Sequence, residues 1–421
     1  MSNYDLTGSA VQIVEVECLN TDFLADWKNG PAPFNFSTSA NQEIKGDIDN
    51  SARYLSKRVH QALYDPSLRQ WNRIEQAIIE MIPLVSRGDE YDIVTHLAVI
   101  HVGLLACRNV EEVLTQLDSV TSDILTKIDV NCRGRSYSLV CLLNMNFPAL
   151  NIGSNVNLGF DQQRALLAWQ ISTFRPEDEP PIGELERLFT SRQLLEPTSD
   201  MTLLVHHDGA SLVLSDEPDD EGNAPFGSWL ECGFPQPTVS AQVQWHLHTT
   251  LTDSILLGML QRLSLNTLAN RIANATTKTP DVNTMTSLQS AFGNFKGSLW
   301  WRHVSEEETV NLVLQAFRAR HGLDDLFTEV DDALNQYSEH LQGISAALSS
   351  AAVTILTLTL FPLTVTVALI TALVPGSADS VVKIIAYLCS VPISLATGFA
   401  VAALIPGYLA FLRSTFKSRN K

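Results

Sequence analysis

Polar residues recur every seven positions near the C-terminal end of the sequence, in a stretch that is otherwise apolar. A seven-residue repeat keeps one face of a helix constant in a left-handed supercoil. Hydroxyl groups and a glycine at every second turn are suited to line a water-filled pore when several copies of the helix surround an axis. The alternative is ordinary helix packing, in which Ser and Thr bond to their own backbone or to a neighbouring helix. The face begins at Gln336 and continues through the predicted pore-lining residues Gly343, Ser350, Thr357, Thr364 and Thr371.

Acidic residues precede this polar line on the same spacing. Asp325, Asp332 and Glu339 lie in a segment, residues 322–345, that contains no Lys or Arg. Repeated around a symmetric bundle, they would form acidic rings that raise the local cation concentration at the inner mouth of a pore. A solvated outer face of the helix is the alternative. Asp379 is the acidic residue predicted at the outer mouth.

Two groups of histidines are weak candidates for metal binding. His206 adjoins His207 and Asp208 in a predicted β-hairpin, whereas His246 and His248 alternate onto one face of a predicted strand. Neither group has a further ligand at a characteristic spacing, so ordinary packed or exposed histidines are the alternative. The sequence has no P-loop, GxSxG, HExxH or GxGxxG pattern, and we expect that the protein is not an enzyme.

The polar line needs a long helix and a membrane to act as a pore. Two apolar runs, residues 346–374 and 381–412, each exceed the roughly 20 residues that cross a bilayer. Residues 375–380 contain Pro and Gly and predict a short outer loop, which makes the runs a transmembrane hairpin. A buried hairpin in a soluble protein is the alternative. Apolar residues at spacings of three and four extend the first helix back to just after Gly322. Residues 301–345 are predicted as stalk helices.

The basic residues predict the orientation. Four Lys or Arg residues occupy the tail, residues 413–421, whereas the predicted outer loop has none. By the positive-inside rule the C-terminus is cytoplasmic, and two spans return the chain to the side on which it began. The sequence begins without a basic segment followed by an apolar run, which predicts no signal peptide. We therefore expect a protein of the cell (inner) membrane with both termini in the cytoplasm.

Composition limits the classes of partner. The net charge of −18 and the lack of clustered Lys and Arg argue against nucleic-acid binding. The six cysteines are scattered without a CxxC pair, so neither a zinc ribbon nor a disulfide framework is predicted.

Residues 1–300 are predicted to form a cytoplasmic ligand-sensing domain of the α/β or α+β class. Strands are predicted over residues 8–18 and 136–143, and a β-hairpin over residues 202–215 around Asp208 and Gly209. The predicted helices cover residues 51–66, 70–86, 110–128, 162–173, 181–194 and 250–274.

The order of these parts resembles the CorA-type metal ion transporters. The segment from Thr354 to Thr364, TILTLTLFPLT, is similar to the first span of that family, and LWWRHVS, residues 299–305, is similar to the run into its stalk. The resemblance covers about residues 295–421. It implies a homopentamer in membrane lipid that transports divalent cations such as magnesium.

One hallmark of the family is missing. CorA-type transporters carry Gly-Met-Asn at the outer end of the first span, where this sequence has Ile370, Thr371 and Ala372. The resemblance thus supports the architecture without supporting selectivity for magnesium.

The leading hypothesis is a CorA-like homo-oligomeric channel that passes cations passively and is gated by its cytoplasmic domain. The alternative is an effector of CRISPR-type antiviral defence, whose soluble domain binds a small messenger such as a nucleotide and whose opening disrupts the membrane. A membrane-anchored scaffold without a pore is a third interpretation.

Overall fold

A computed structural model gives the structure of the protein. It describes residues 6–18, 22–32, 34–37, 43–46, 55, 59, 61, 63, 69–84, 94–107, 109–132, 136–143, 160–173, 194–198, 201–214, 239–277, 282–301, 303–306 and 308–373.

The fold is mixed, with a large sheet and several helices. The strands are β1 (Leu6–Cys18), β2 (Lys28–Asn29), β3 (Phe34–Ser37), β4 (Glu43–Gly46), β5 (Gln70–Ile74), β6 (Ala77–Pro83), β7 (Val94–Cys107), β8 (Asn131–Cys132), β9 (Tyr137–Leu143), β10 (Leu194–Thr198), β11 (Met201–Val205) and β12 (Gly209–Leu214). The helices are α1 (Val110–Lys127), α2 (Phe160–Thr173), α3 (Val239–His246), α4 (Thr252–Thr276), α5 (Val282–Ser298), α6 (Glu308–His321) and α7 (Leu323–Leu373). A π-helical segment, Leu247–Leu251, joins α3 to α4.

The main sheet has ten strands within the described ranges. Nine of them follow the order β10-β11-β12-β9-β1-β7-β6-β5-β2, and β8 pairs with β1. The pairing is antiparallel except between β9 and β12, which are parallel. Strand β1 is central, because it pairs along its length with β7 on one side and over Thr7–Ile13 with β9 on the other.

Both faces of this sheet are buried. Successive residues of a strand point to opposite faces, and in β1 Val14 packs in one core while Ile13 packs in the other. Residues of α1 and α2 complete the first core, whereas residues of α4, α6 and the π-helical segment complete the second. The central strands β7 and β9 are consequently rich in apolar residues at successive positions, as in VGLLAC and LVCLL, without the regular alternation of a half-exposed strand.

The chain divides into two compact units. The first comprises Met1–Arg271 and Ser290–Val330, and the second comprises Ile272–Gln289 and Asp331–Lys421. The sheet and its two cores belong to the first unit. In the second unit, Leu334 and Tyr337 of α7 are buried, whereas the later described side chains of α7 are largely exposed.

Several predicted elements are confirmed. Helices α1, α2 and α4 and strands β1 and β9 lie within two residues of their predicted bounds. The β-hairpin is formed by β11 and β12, with the His206 amide donating to the Gly209 carbonyl at 2.8 Å across the turn. The predicted helix over residues 181–194 falls outside the described residues except for Leu194, which begins β10. Most of the predicted helix over residues 51–66 also falls outside the described residues.

The prediction of a helix over residues 70–86 is wrong. This segment forms the hairpin of β5 and β6, which reverses at Glu75 with a left-handed φ of 53°. Because β6 is buried on both faces, its run of apolar residues also satisfies a helical spacing, and periodicity alone does not separate the two structures.

Helix α7 confirms one long helix beginning just after Gly322. It has 51 residues, which corresponds to about 75 Å at 1.5 Å per residue. Gly322 separates α6 from α7 with a left-handed φ of 60°, a conformation that glycine adopts without steric cost. The ring of Phe327, in the second turn of α7, stacks on Trp300 with ring centroids 4.5 Å apart. This contact connects the start of α7 to Trp300 of the LWWRHVS segment, residues 299–305.

Candidate functional site

The predicted pore-lining positions lie on α7, and the structure leaves those with described side chains exposed. Gly343, Ser350, Thr357 and Thr364 are all exposed in the single chain, and a Cβ built at Gly343 meets nothing within 4 Å. Thr371 is part of α7, but its side chain is outside the described residues.

Two of these hydroxyl groups bond to their own helix. Thr357 Oγ1 donates to the Val353 carbonyl at 2.8 Å, and Thr364 Oγ1 donates to the Phe361 carbonyl at 2.8 Å. This is the backward bonding expected of threonine in a helix. Each hydroxyl oxygen still has lone pairs that can accept a hydrogen bond or contact a cation. The bonds therefore fix the side chains without removing their oxygen atoms from the exposed face.

The three acidic residues predicted on α7 are also exposed. Asp325, Asp332 and Glu339 each face solvent on α7. Their spacing places them on one side of the helix, below Gly343 and Ser350 in the direction of the N-terminus. The structure thus keeps both sets accessible, the acidic positions from Asp325 to Glu339 and the polar line from Gly343 to Thr364.

Large apolar side chains occupy other positions of α7. Their exposed fractions run from 36% to 67%, and none of them falls on the seven-residue line. They are Ile344, Leu348, Val353, Leu356, Leu360 and Phe361. The middle of α7 therefore combines one polar face with apolar residues on its other faces.

Over the residues that the structure describes, no helix reaches the length and apolarity that a membrane crossing requires. The second predicted span, residues 381–412, and Asp379 lie outside those residues, as do many of the α7 side chains after Thr354.

The three histidines predicted as weak metal ligands occupy different surroundings. His206 lies in the β11–β12 turn, His246 ends α3, and His248 is buried in the π-helical segment. The predicted strand carrying His246 and His248 is wrong, because both residues are helical and their side chains do not alternate across a sheet. His246 Nδ1 lies 3.4 Å from Thr250 Oγ1. Among the described residues, no three His, Cys, Asp or Glu side chains are grouped to hold a metal ion.

His248 instead belongs to a buried ion network. Glu80 Oε2 accepts a hydrogen bond from Arg69 Nη2 at 2.6 Å, and Glu80 Oε1 accepts one from the Ala32 amide at 2.6 Å. His101 Nε2 lies 3.1 Å from Glu80 Oε2. We use the name buried ion network for five side chains that are almost entirely buried: Arg69, Glu80, His101, His248 and Asp253.

The network contains a fixed negative charge. Burial by itself raises the pKa of Glu80, but the Arg69 guanidinium and the hydrogen bond from His101 outweigh it and lower that pKa to about 2. Burial lowers the pKa of His248 well below its usual value, and His101 lowers it further. Glu80 is thus ionised and His248 neutral at physiological pH.

A second polar group surrounds the β11–β12 turn, which lies beside the end of α6. The hydroxyl of Tyr137 donates to the His206 carbonyl at 3.1 Å, and the ring of His207 lies 4.6 Å from the ring of His321. Arg262 Nη1 lies 3.3 Å from His321 Nδ1. We use the name hairpin cluster for this set: Tyr137, His206, His207, Asp208, Arg262, Arg320 and His321.

Burial controls ionisation in the hairpin cluster. It lowers the pKa of His321 to about 3, with further lowering from Arg262 and His207. It also lowers the pKa of Arg262 and raises that of Tyr137. At neutral pH, His321 and Tyr137 are therefore uncharged beside the guanidinium groups of Arg262 and Arg320.

Sequence reasoning missed most members of both groups. The sequence does carry one sign of such a group, which is an ionisable residue inside an apolar strand. Examples are Glu80 in AIIEMIP and His101 in VTHLAVIHVGLLAC. A buried charge requires a partner, so such positions predict a network even when the partner is unknown.

Comparisons with known protein families, with curated proteins and with solved structures find no match for this chain.

Proposed function

We propose that the protein is a homo-oligomeric membrane channel that passes cations passively, with α7 as its pore-lining helix. The observation that carries the proposal is the continuous 51-residue helix with a polar line at seven-residue spacing and apolar side chains off the line. The resemblance to CorA-type transporters agrees with this arrangement and suggests a pentamer. Both termini are proposed to be cytoplasmic, and the cytoplasmic domain is proposed to gate the pore.

The apolar side chains of α7 require a different environment from water. Burying a large aliphatic or aromatic side chain contributes about 1.5–3 kcal/mol, and six such side chains are about half exposed. Leaving them in water therefore costs on the order of 5 kcal/mol, which is comparable to the whole stability of many domains. Lipid or further copies of α7 would remove this cost.

The polar line is suited to face an aqueous axis. In a symmetric bundle, Gly343, Ser350, Thr357 and Thr364 from each copy would form successive rings of small or hydroxyl-bearing residues. Such rings present oxygen atoms to a hydrated ion without a fixed charge to trap it. The acidic residues Asp325, Asp332 and Glu339 would precede these rings and concentrate cations. With Ile370, Thr371 and Ala372 in place of Gly-Met-Asn, strong selectivity for magnesium is not part of the proposal.

Cysteine accessibility tests which face of α7 lines the pore. Protein carrying Ser350→Cys or Thr357→Cys is reconstituted into liposomes, and cation efflux is measured before and after addition of a cationic, thiol-specific methanethiosulfonate. We expect the attached charge to block flux through both variants.

Ala352→Cys is the matched control, because residue 352 is also exposed and lies almost opposite residue 350 on a seven-residue repeat. Its flux should be unchanged, and the parent chain measures the background from the six native cysteines. Equal block of Ala352→Cys and Ser350→Cys, or no flux through the parent chain, would refute the proposal.

A further inference from the structure

His321 carries its proton on a defined ring nitrogen. Arg262 is a donor only, so His321 Nδ1 must be the acceptor in their 3.3 Å contact. With its pKa lowered to about 3, the ring of His321 is neutral, and its single proton therefore resides on Nε2. Nε2 is buried and has no hydrogen-bond partner within the part of the chain that the structure describes. The hairpin cluster thus holds one buried N–H donor that no described acceptor satisfies.

Arg320, the preceding residue, adds two more such donors. Its Nε and Nη2 atoms are buried, and neither has a hydrogen-bond partner in the described ranges. The N–H bonds of these two nitrogens run parallel along the same edge of the guanidinium plane. That edge is the one that binds two oxygens of a single carboxylate or phosphate.

The side chains of Arg320 and His321 both adjoin Tyr137. The rings of Tyr137 and His321 are 6.1 Å apart, and Arg320 is close enough to act on the Tyr137 hydroxyl electrostatically. The carboxylates nearby are otherwise engaged: Asp208 lies 3.4 Å from His207 Nδ1, and Glu15 interacts with Arg262. The donors of Arg320 and His321 therefore have no acceptor among the described residues and are available to bind one from outside them.

We propose that the hairpin cluster binds the phosphate group of a small phosphorylated ligand. A phosphate has three terminal oxygens in a tetrahedral arrangement, so a phosphate that binds the Arg320 edge with two oxygens keeps a third for a further donor such as His321 Nε2, one residue along α6. A carboxylate has only two oxygens and leaves one donor unsatisfied. His207, whose side chain is 60% exposed beside His321, marks the open side of the site from which the remainder of the ligand extends.

This site is separate from the proposed pore. All its residues belong to the first unit, and its test measures binding without measuring flux. Failure of the channel proposal leaves the phosphate site standing, and loss of the phosphate site leaves the channel proposal standing.

Isothermal titration calorimetry of the purified 421-residue chain tests the proposal, with inorganic phosphate, adenosine monophosphate and acetate as probes. We expect phosphate and adenosine monophosphate to bind and acetate to bind at least about tenfold more weakly. Tighter binding of the nucleotide than of inorganic phosphate would identify a phosphate ester as the natural ligand, whereas equal affinities would identify free phosphate. Acetate binding as tightly as phosphate, or no binding of either phosphate probe at millimolar concentration, would overturn the proposal.

Substitutions test whether phosphate binds at Arg320. Arg320→Gln should weaken phosphate binding at least about tenfold, and Arg320→Lys should recover only part of it, because lysine keeps the charge without the two-pronged edge. Arg73→Gln is the matched control, since it removes the same charge from an exposed position of β5. Equal weakening in Arg73→Gln and Arg320→Gln would mean general charge attraction and would refute the site. Phosphate should also raise the urea midpoint of the parent chain but leave that of Arg320→Gln unchanged, which separates lost binding from lost folding.

Discussion

The Nδ1 atoms of His101 and His248 lie 3.0 Å apart and join strand β7 to the π-helical segment between α3 and α4. Because Glu80 is ionised, His101 Nε2 must donate to it. One of the two Nδ1 atoms supplies the proton between the rings. The carboxylate of Glu80 thus orients His101, which in turn contacts His248.

Replacing Glu80 should destabilise the first unit strongly. In Glu80→Gln, the Arg69 guanidinium stays buried without its carboxylate, and breaking a buried pair in this way costs about 3–5 kcal/mol. Urea unfolding followed by tryptophan fluorescence measures the change. The control is Lys127→Met, which removes an exposed ion pair with Glu75 and should leave the unfolding midpoint unchanged within error. Similar midpoints for the two variants would show that the buried ion network does not stabilise the fold.

Acidification should destabilise the protein through its buried histidines. Burial lowers the pKa of His246 to about 4, below the value of about 6.5 in the unfolded chain. The unfolded state therefore binds more protons than the folded state between pH 6.5 and 4, and the stabilising contribution present above pH 6.5 is lost as the pH falls. We expect the free energy of unfolding to decrease from pH 7.5 to pH 5.

His246→Gln tests this contribution directly. Each such histidine contributes a slope of up to about 1.4 kcal/mol per pH unit within its window. The variant should lose roughly this much of the slope, as measured by urea unfolding at a series of pH values. His303→Gln, at an exposed position, should retain the parent slope. An unchanged slope in His246→Gln would contradict the assignment.

Two helical glycines should respond oppositely to the same substitution. A Cβ added at Gly258 of α4 would lie 2.4 Å from Phe317 Cδ1, so Gly258→Ala should destabilise the protein by about 1–3 kcal/mol. A Cβ at Gly293 of α5 meets nothing within 4 Å, and Gly293→Ala should stabilise it by roughly 0.5–1 kcal/mol. Thermal or urea unfolding measures both. Adding Phe317→Leu to Gly258→Ala should recover part of the loss, and two changes of the same sign would contradict the packing.

Neutralising the acidic line should reduce cation flux most at low salt. In the double variant Asp332→Asn and Glu339→Gln, the attraction that concentrates cations at the inner mouth is removed, and this attraction extends only about 10 Å at 0.1 M salt. Liposome flux at 20 mM and 500 mM salt measures the effect. The control, Asp324→Asn with Asp331→Asn, removes two charges one position before Asp325 and Asp332, on a different face of α7. An equal loss in both double variants would mean that the line has no special role.

Amphipathic helices were the most predictable part of the fold. Helix α1 has its buried residues on one face, an Asn109 side chain that accepts from the Glu112 amide at its N-terminus, and Lys127 in its last turn. These local signals all favour the same structure. The start of α7 was likewise predictable from Gly322 and from the apolar spacing that follows it.

Strands buried on both faces were harder to predict. β6 and β7 were missed because their apolar residues do not alternate regularly, and β7 pairs on one side with β1, which is distant in sequence. Distance in sequence also hid the buried ion network. Arg69, Glu80 and Asp253 are brought together only by the folded sheet and α4, and no spacing in the sequence connects them.

The central position of β1 has a consequence for how the chain folds during synthesis. Leu6 pairs with Cys107 and Thr7 pairs with Leu143, so this strand is made early and paired late. At a translation rate of about 5–20 residues per second, its second neighbour emerges on the order of ten seconds after it. Both edges of β1 are unpaired until β7 is made, and the edge that pairs with β9 stays open to other chains until β9 is made. Chaperone binding or a slow rate of initiation would therefore govern the yield of folded protein more than the stability of the finished sheet.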